Sequence, residues 1–495
     1  MNRTARGEGM PVFGPLAVFW GLMSLSMTVP LAAALVFGEK DMAGAFCLSM
    51  AIPVLAALAV FVFSASRRGG RFPRFAQFSA SEGIRFVFFA WVLSCLTGAL
   101  PYWFSGHIPS FTSAVFESVS GFTTTGISVI PDVETLPYSM NLWRGLTHWL
   151  GGIGIIVFTV ALVPLFGVGA FQLVNAETTG PEKDRLTPRI TGTAKILILI
   201  YVSLTVLQTF LFLLGGMNWL DAVFHSFSTV ATGGFSTHND NIAHYNSPYV
   251  EWVSLIFMII AGFNFSLVYR ILKGKPGEAA ANSEARAYVL VIAVSVIVIT
   301  VSILPVSASA GAAARSAFFT AASVLTTTGF MSADYTLWSP LAQAVLFLLM
   351  FLGACSGSTS GGVKLVRYVI LGKQMKNEMK KLLFPRGVFS IRLDQKTGRK
   401  DIVYSVAGFI FLYYVFVVAG ALLVCSSGTP LFDSLNTSLL AVGNIGMGLG
   451  KSNAVLRTAP PYVQWGLSFL MLAGRLELMT VLVLFTPGAW RGRRL

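Results

Sequence analysis

The chain has 495 residues, 55% of them hydrophobic and only 11% charged, with a net charge of +14. Soluble globular chains carry roughly 25% charged residues, so the composition excludes a soluble enzyme or a soluble nucleic-acid binder. It places the chain among multi-pass membrane proteins.

Apolar runs at 15–37, 48–66, 195–214 and 288–305 are each long enough to cross about 30 Å of hydrocarbon. The first has no small-residue cleavage site and is followed by a second run, so it reads as a retained helix. With a cytoplasmic N-terminus and alternating spans, 29 of the 35 Lys and Arg fall on the inner side. That is the bias of the positive-inside rule, and it assigns the basic segments to topology and lipid contact before RNA. The outer loops are mildly acidic, which concentrates cations at a pore mouth. Cys47, Cys95, Cys355 and Cys425 lie in apolar segments without metal-ligand spacing and read as small hydrophobes.

After two N-terminal helices at about 15–37 and 44–66, one pattern returns four times. Phe116, Ser120 and Gly126 recur at the same spacing as Phe224, Ser228 and Gly234, and again as Phe319, Ser323 and Gly329. The fourth copy, opening at Phe432, reaches Gly446 four residues late. Gly443 competes for the matched position, and the glycine-rich exit Met447-Gly-Leu-Gly450 favours Gly446. The predicted units, each a span, a re-entrant loop and a span, cover 84–169, 193–273, 286–373 and 400–488. Ten full spans and four half-helices follow. The units run in the same direction, unlike inverted transporter repeats. The expected fold is all-α and polytopic: four parallel repeats around one pore. Its regions are 1–83 (two N-terminal helices), 84–169, 170–273 and 274–373 (one repeat each, the second with its preceding cytoplasmic loop), and 374–495 (a basic loop and repeat four).

The apolar half of each loop, about ten residues, is too short to span. Its Thr/Gly tail cannot face lipid, where backbone groups would go unpaired; it must be buried or line water. Four such tails about one axis offer rings of carbonyl oxygens in place of an ion's hydration shell, as in potassium channels.

Two further features lie in the spans. Residues 353–362 interrupt a long apolar stretch with Gly353, Ser356, Gly357, Ser358, Thr359, Gly361 and Gly362, and non-helical backbone at that depth must line a cavity. Arg475 is an intramembrane charge, a functional candidate by default; a structural pair with Glu477 or a second subunit is the alternative. His148 and His225 read as packing at helix ends. No dinucleotide or Walker fingerprint, zinc spacing or catalytic carboxylate pair is present.

These motifs, with His148-Trp-Leu-Gly-Gly-Ile-Gly-Ile-Ile156, Glu177-Thr-Thr-Gly-Pro-Glu-Lys-Asp-Arg-Leu-Thr-Pro-Arg189 and the run from Gly353 to Lys364, resemble the Trk/Ktr/HKT superfamily, specifically its TrkH/TrkG type. The resemblance implies potassium uptake across the bacterial inner membrane. It implies a selectivity filter of Thr124-Thr125-Gly126, Thr232-Gly233-Gly234, Thr327-Thr328-Gly329 and Asn444-Ile445-Gly446. It also implies a gating loop at 353–362, with Arg475 beside it hindering the ion. Glycine at all four matched positions implies preference for potassium. Thr232-Gly233 and Asn444-Ile445 depart from the family pattern. Implied partners are a second copy in a homodimer and a cytoplasmic TrkA-type subunit with nucleotide-binding RCK domains, for which the basic stretch 367–400 offers a docking surface. The transported ion is the only ligand expected, with no organic cofactor. A proton- or sodium-coupled symporter on the same scaffold stays open beside a passive gated pore.

Overall fold

The computed structural model describes residues 13–67, 80–162, 190–387, 389–393, 396–398, 400–450 and 452–490. The motif at 177–189 and residues 388, 394, 395 and 399 of the basic stretch lie outside them. The described chain is helical apart from one small antiparallel ladder, β1 (Ile391–Leu393) with β2 (Lys396–Gly398), in the expected basic loop.

The chain begins with α1 (Phe13–Leu25), α2 (Thr28–Val36) and α3 (Lys40–Arg67). Then come four sets of a long helix, a short helix and a second helical segment. The long helices are α4 (Ala80–Phe104), α7 (Ile190–Leu214), α12 (Ser283–Ile303) and α16 (Lys400–Cys425). The short ones are α5 (Phe111–Phe122), α8 (Trp219–Val230), α13 (Ala310–Leu325) and α17 (Leu431–Gly443). At 12 to 16 residues they reach only about 18–24 Å, short of the hydrocarbon thickness of about 30 Å. Their starts are local chemistry: Ser110, Asn218 and Ser309 accept hydrogen bonds from first-turn amides of α5, α8 and α13. At α17 the cap is Pro430, with no side-chain bond.

The second segments depart from expectation. The first, α6 (Tyr138–Leu162), is continuous. The second is α9 (Pro248–Gly262) and α10 (Phe265–Leu272), bent by 106° at Phe263 and Asn264. α11 (Pro276–Ala281) then connects α10 to α12. The third is α14 (Pro340–Leu349) and α15 (Leu365–Leu383), parted by the expected polar loop. The fourth, following the short α18 (Ser452–Thr458), is α19 (Pro461–Arg475) and α20 (Leu478–Val483), parted at Leu476 and Glu477. Only the third break is foreseen from the sequence. Among the described residues, six helices are each long and apolar enough to cross a membrane unbroken, or seven counting the bent pair. Asn264 explains one break: its side-chain oxygen caps the new helix by accepting from the Ser266 and Leu267 amides.

Packing joins the sets in a circuit. Each short helix packs on its own long helix; α5, α8 and α13 also pack on α19, α6 and α9, respectively. The contact of α5 with α19 brings the first set against the last.

Candidate functional site

The short helices end alike. Thr124, Thr232, Thr327 and Asn444 all take left-handed backbone angles, φ +52°, +55°, +59° and +53°. In the first set the Thr124 amide donates to Gly121 O and the Thr125 amide to Ser120 O. The second repeats this from Thr232 to Thr229 O and Gly233 to Ser228 O, and the fourth from Asn444 to Ala441 O and Ile445 to Leu440 O. These are Schellman-type endings, built with Thr or Asn where glycine is usual. In the third set Thr327 bonds Val324 O, and the next such bond runs from Gly329 to Ser323 O. Asn444 thus holds the backbone position of the three threonines, which aligns Gly446 with Gly126, Gly234 and Gly329.

The glycines touch in order around a closed path. A Cβ on Gly126 would lie 1.9 Å from Gly233 O, one on Gly234 1.9 Å from Thr328 O, one on Gly329 2.6 Å from Gly446 N, and one on Gly446 2.9 Å from Thr125 O. The first three also have φ +80°, +86° and +78°, where side chains are strained. Gly446 does not. Thr124, Thr125, Thr232, Thr327, Thr328, Asn444 and Ile445 are all buried. Four helix C-termini, each carrying a partial negative charge, converge on this path.

The two departures from the family pattern have visible reasons. In the first and third loops, threonine hydroxyls pair at 2.7 Å (Thr123 with Thr125) and 2.8 Å (Thr326 with Thr328). In the second loop that place belongs to His148: a Cβ on Gly233 would lie 2.2 Å from its Nδ1. The His148 ring bonds Ser228 Oγ at 3.1 Å and stacks on Phe235 with centroids 4.2 Å apart. In the fourth, Asn444 Nδ2 donates to Thr125 Oγ1 at 3.0 Å and to Met471 O at 2.9 Å, tying the last loop to the first. His148 therefore does not pack at a helix end; it sits well inside α6. His225 lies inside α8, between Asp221 O and Ser236 Oγ.

The loop 353–362 lies directly against these tails. The Gly361 amide donates to Thr327 Oγ1 at 2.7 Å, and Thr359 Oγ1 donates to Val230 O at 3.0 Å. A Cβ on Gly361 would approach Gly443 O at 2.6 Å. Gly353 donates to Val363 O, closing the base of the loop, and Gly357 and Gly362 turn it with φ +73° and +67°. Ser358 Oγ bonds Cys355 O and Ser360 Oγ. Below, the buried Glu284 carboxylate accepts from the Ser356 and Val366 amides at 2.7 and 3.1 Å.

Arg475 reaches this loop. Its guanidinium donates to Thr359 O at 2.7 Å and to Gly151 O at 3.3 Å, so it bridges the loop and α6. The alternative pair with Glu477 does not form. Glu477, at φ +69° in the break, bonds Arg367 of α15 at 2.7 Å, and Arg367 lies 3.5 Å over the Phe409 ring. Sequence reasoning missed Asn264, Glu284 and the Arg367–Glu477 pair. It also missed Glu117 with Arg144, a buried pair at 3.0 Å whose Glu117 accepts from Ser128 Oγ and the Val129 amide in the segment leaving the first loop. Charged residues in apolar segments were the available signal.

The family model TrkH, described as a cation transport protein, matches residues 57–490. The chain belongs to this family. Among similar proteins are the Trk system potassium uptake protein TrkH of Halomonas elongata, 36% identical over 95% of this chain and 97% of that one, and TrkG of Escherichia coli K12, 33% identical over 95% and 96%. The crystal structure of the potassium transporter TrkH from Vibrio parahaemolyticus superposes with a TM-score of 0.87 at 30% identity, covering 98% of this chain and all of that one. With six apolar spans at least, the family member is a multi-pass membrane protein.

Proposed function

We propose that the chain is the pore-forming subunit of a Trk-type system, taking up potassium through a gated, channel-like pore in the bacterial cytoplasmic membrane. The observation that carries this reading is the closed path of glycine contacts from Gly126 through Gly234 and Gly329 to Gly446. The left-handed residues and glycines turn backbone carbonyls of Thr124-Thr125-Gly126, Thr232-Gly233-Gly234, Thr327-Thr328-Gly329 and Asn444-Ile445-Gly446 toward one axis. There they replace water around a dehydrated potassium ion, and the four helix C-termini add a favourable field. The four sets then act as parallel repeats around one pore, with 1–83 as a peripheral two-helix region and the N-terminus cytoplasmic.

Residues 353–362 form the gate beneath this filter. Arg475 holds Thr359 O and Gly151 O together, and its charge faces any ion that passes. Opening requires these bonds to break. α15 runs from the loop into the basic stretch at 367–400, where a cytoplasmic RCK-type subunit docks and pulls, and a second copy of the chain completes a dimer with one pore in each subunit. The test is flux of potassium from liposomes holding the purified protein, with proton and sodium gradients imposed independently. Flux that follows the potassium gradient alone supports the pore; flux that requires a proton or sodium gradient replaces it with a symporter.

A further inference from the structure

Away from the filter path, the segments that leave the first two loops meet at three ligand-type side chains. Glu134 comes from the first, and His238 and His244 from the second; one ligand atom of each lies within 4.8 Å of the others. His238 Nδ1 stands 3.5 Å from Glu134 Oε1 and is a buried polar atom with no hydrogen-bond partner among the described residues. Its other nitrogen, Nε2, is 3.2 Å from Asp221 Oδ2. The His244 ring lies 3.5 Å from the His238 ring and nearly parallel to it, on a short turn at Asn241–Tyr245. Glu134 and His244 are exposed.

We propose that Glu134, His238 and His244 bind one borderline divalent cation of the zinc class, with water as the fourth ligand. The donor set is two imidazoles and one carboxylate, which suits zinc in tetrahedral coordination and disfavours magnesium or calcium, which take oxygen ligands. In the neutral His238 ring, a proton on Nε2 held by Asp221 Oδ2 leaves the Nδ1 lone pair facing Glu134 and His244, the carboxylate–histidine–metal arrangement that orients a ligand in advance. Zn–N and Zn–O bonds of about 2.0–2.2 Å require Glu134 and His244 to close in, and both are exposed and able to turn. The bound cation would staple the segment following the first loop to the segment following the second. None of this depends on the direction of transport or on the pore.

Calorimetric titration of purified protein without a polyhistidine tag, with Zn²⁺ alone at pH 8, tests the site. The parent is expected to bind one Zn²⁺ per chain saturably and to gain thermal stability with it. His244→Ala and Glu134→Gln, both at exposed positions, are expected to weaken binding about tenfold or more, the least that losing an outer supporting group costs. Each should keep the parent's melting temperature in metal-free buffer. His107→Ala, at an exposed histidine outside the cluster, should leave binding unchanged. No saturable binding by the parent, or unaltered affinity in the Glu134→Gln/His244→Ala double variant, overturns the proposal.

Discussion

The first and last helical segments of each set teach opposite lessons. α4, α7, α12 and α16 are continuous, apolar, and among the helices able to span. α7 and α12 expose Leu207, Phe210, Leu290 and Val294 over their length. Lipid asks only for hydrophobicity and length of such helices. Three of the four second segments are broken, at 263–264, 350–364 and 476–477. They carry buried polar groups such as Ser254, Thr359, Arg367 and Arg475. Broken backbone survives at that depth only where protein or a water-filled cavity satisfies it, so the breaks mark the interior that the outer helices enclose.

The largest difference should appear at the glycines between those interior segments. Gly126→Ser and Gly234→Ser place a Cβ 1.9 Å from a neighbouring carbonyl oxygen, at positive φ. Gly446→Ser has 2.9 Å and no such φ. Potassium-over-sodium selectivity, read from competing fluxes in liposomes, is expected to fall by at least about tenfold, about 1.4 kcal/mol, in the first two and by less in the third. Equal ratios in all four proteins would place selectivity elsewhere.

Next in size is Arg475→Ala. Two unit charges 4 Å apart at an effective dielectric of 20 repel by about 4 kcal/mol, and the substitution also frees Thr359 O and Gly151 O. Partner-free potassium flux should rise several-fold. Deletion of 356–360 should raise it too while leaving selectivity intact. If flux falls in Arg475→Ala and returns in Arg475→Lys with recovered thermal stability, the arginine is structural.

Glu284→Ala should be milder. It leaves the Ser356 and Val366 amides without their acceptor, a loss on the order of 1–3 kcal/mol, visible as a lower melting temperature with selectivity kept. Leu290→Ala on the outer surface of α12 should change stability by no more than about 0.5 kcal/mol and leave flux unaltered. A large flux defect there would erase the contrast between enclosing and interior helices.

What the sequence revealed follows the same division. The outer spans and half-helices were legible because apolar length and the Phe–Ser–Gly spacing are local. The left-handed position shared by Thr124, Thr232, Thr327 and Asn444 was half legible: the register was there, but the backbone angle was not. The breaks at Asn264 and Glu477 were not, because one polar residue in an apolar run has the same local signature whether it caps a new helix or faces a partner. Glu477 beside Arg475 suggested a pair between neighbours, whereas the backbone turn sends Glu477 to Arg367, 110 positions away. The Thr-to-Gly change at Gly233 had no local cause at all; His148, from another helix, fills the space.

The most direct measurement of the central claim is the anomalous scattering of thallium(I), a potassium mimic, in crystals of the purified protein. A carbonyl ring at these residues requires thallium density on the axis enclosed by Thr124–Thr125, Thr232–Gly233, Thr327–Thr328 and Asn444–Ile445, competed away by potassium and not by sodium. An axis without thallium at saturating concentration, or a peak there that sodium displaces as readily as potassium, would contradict it.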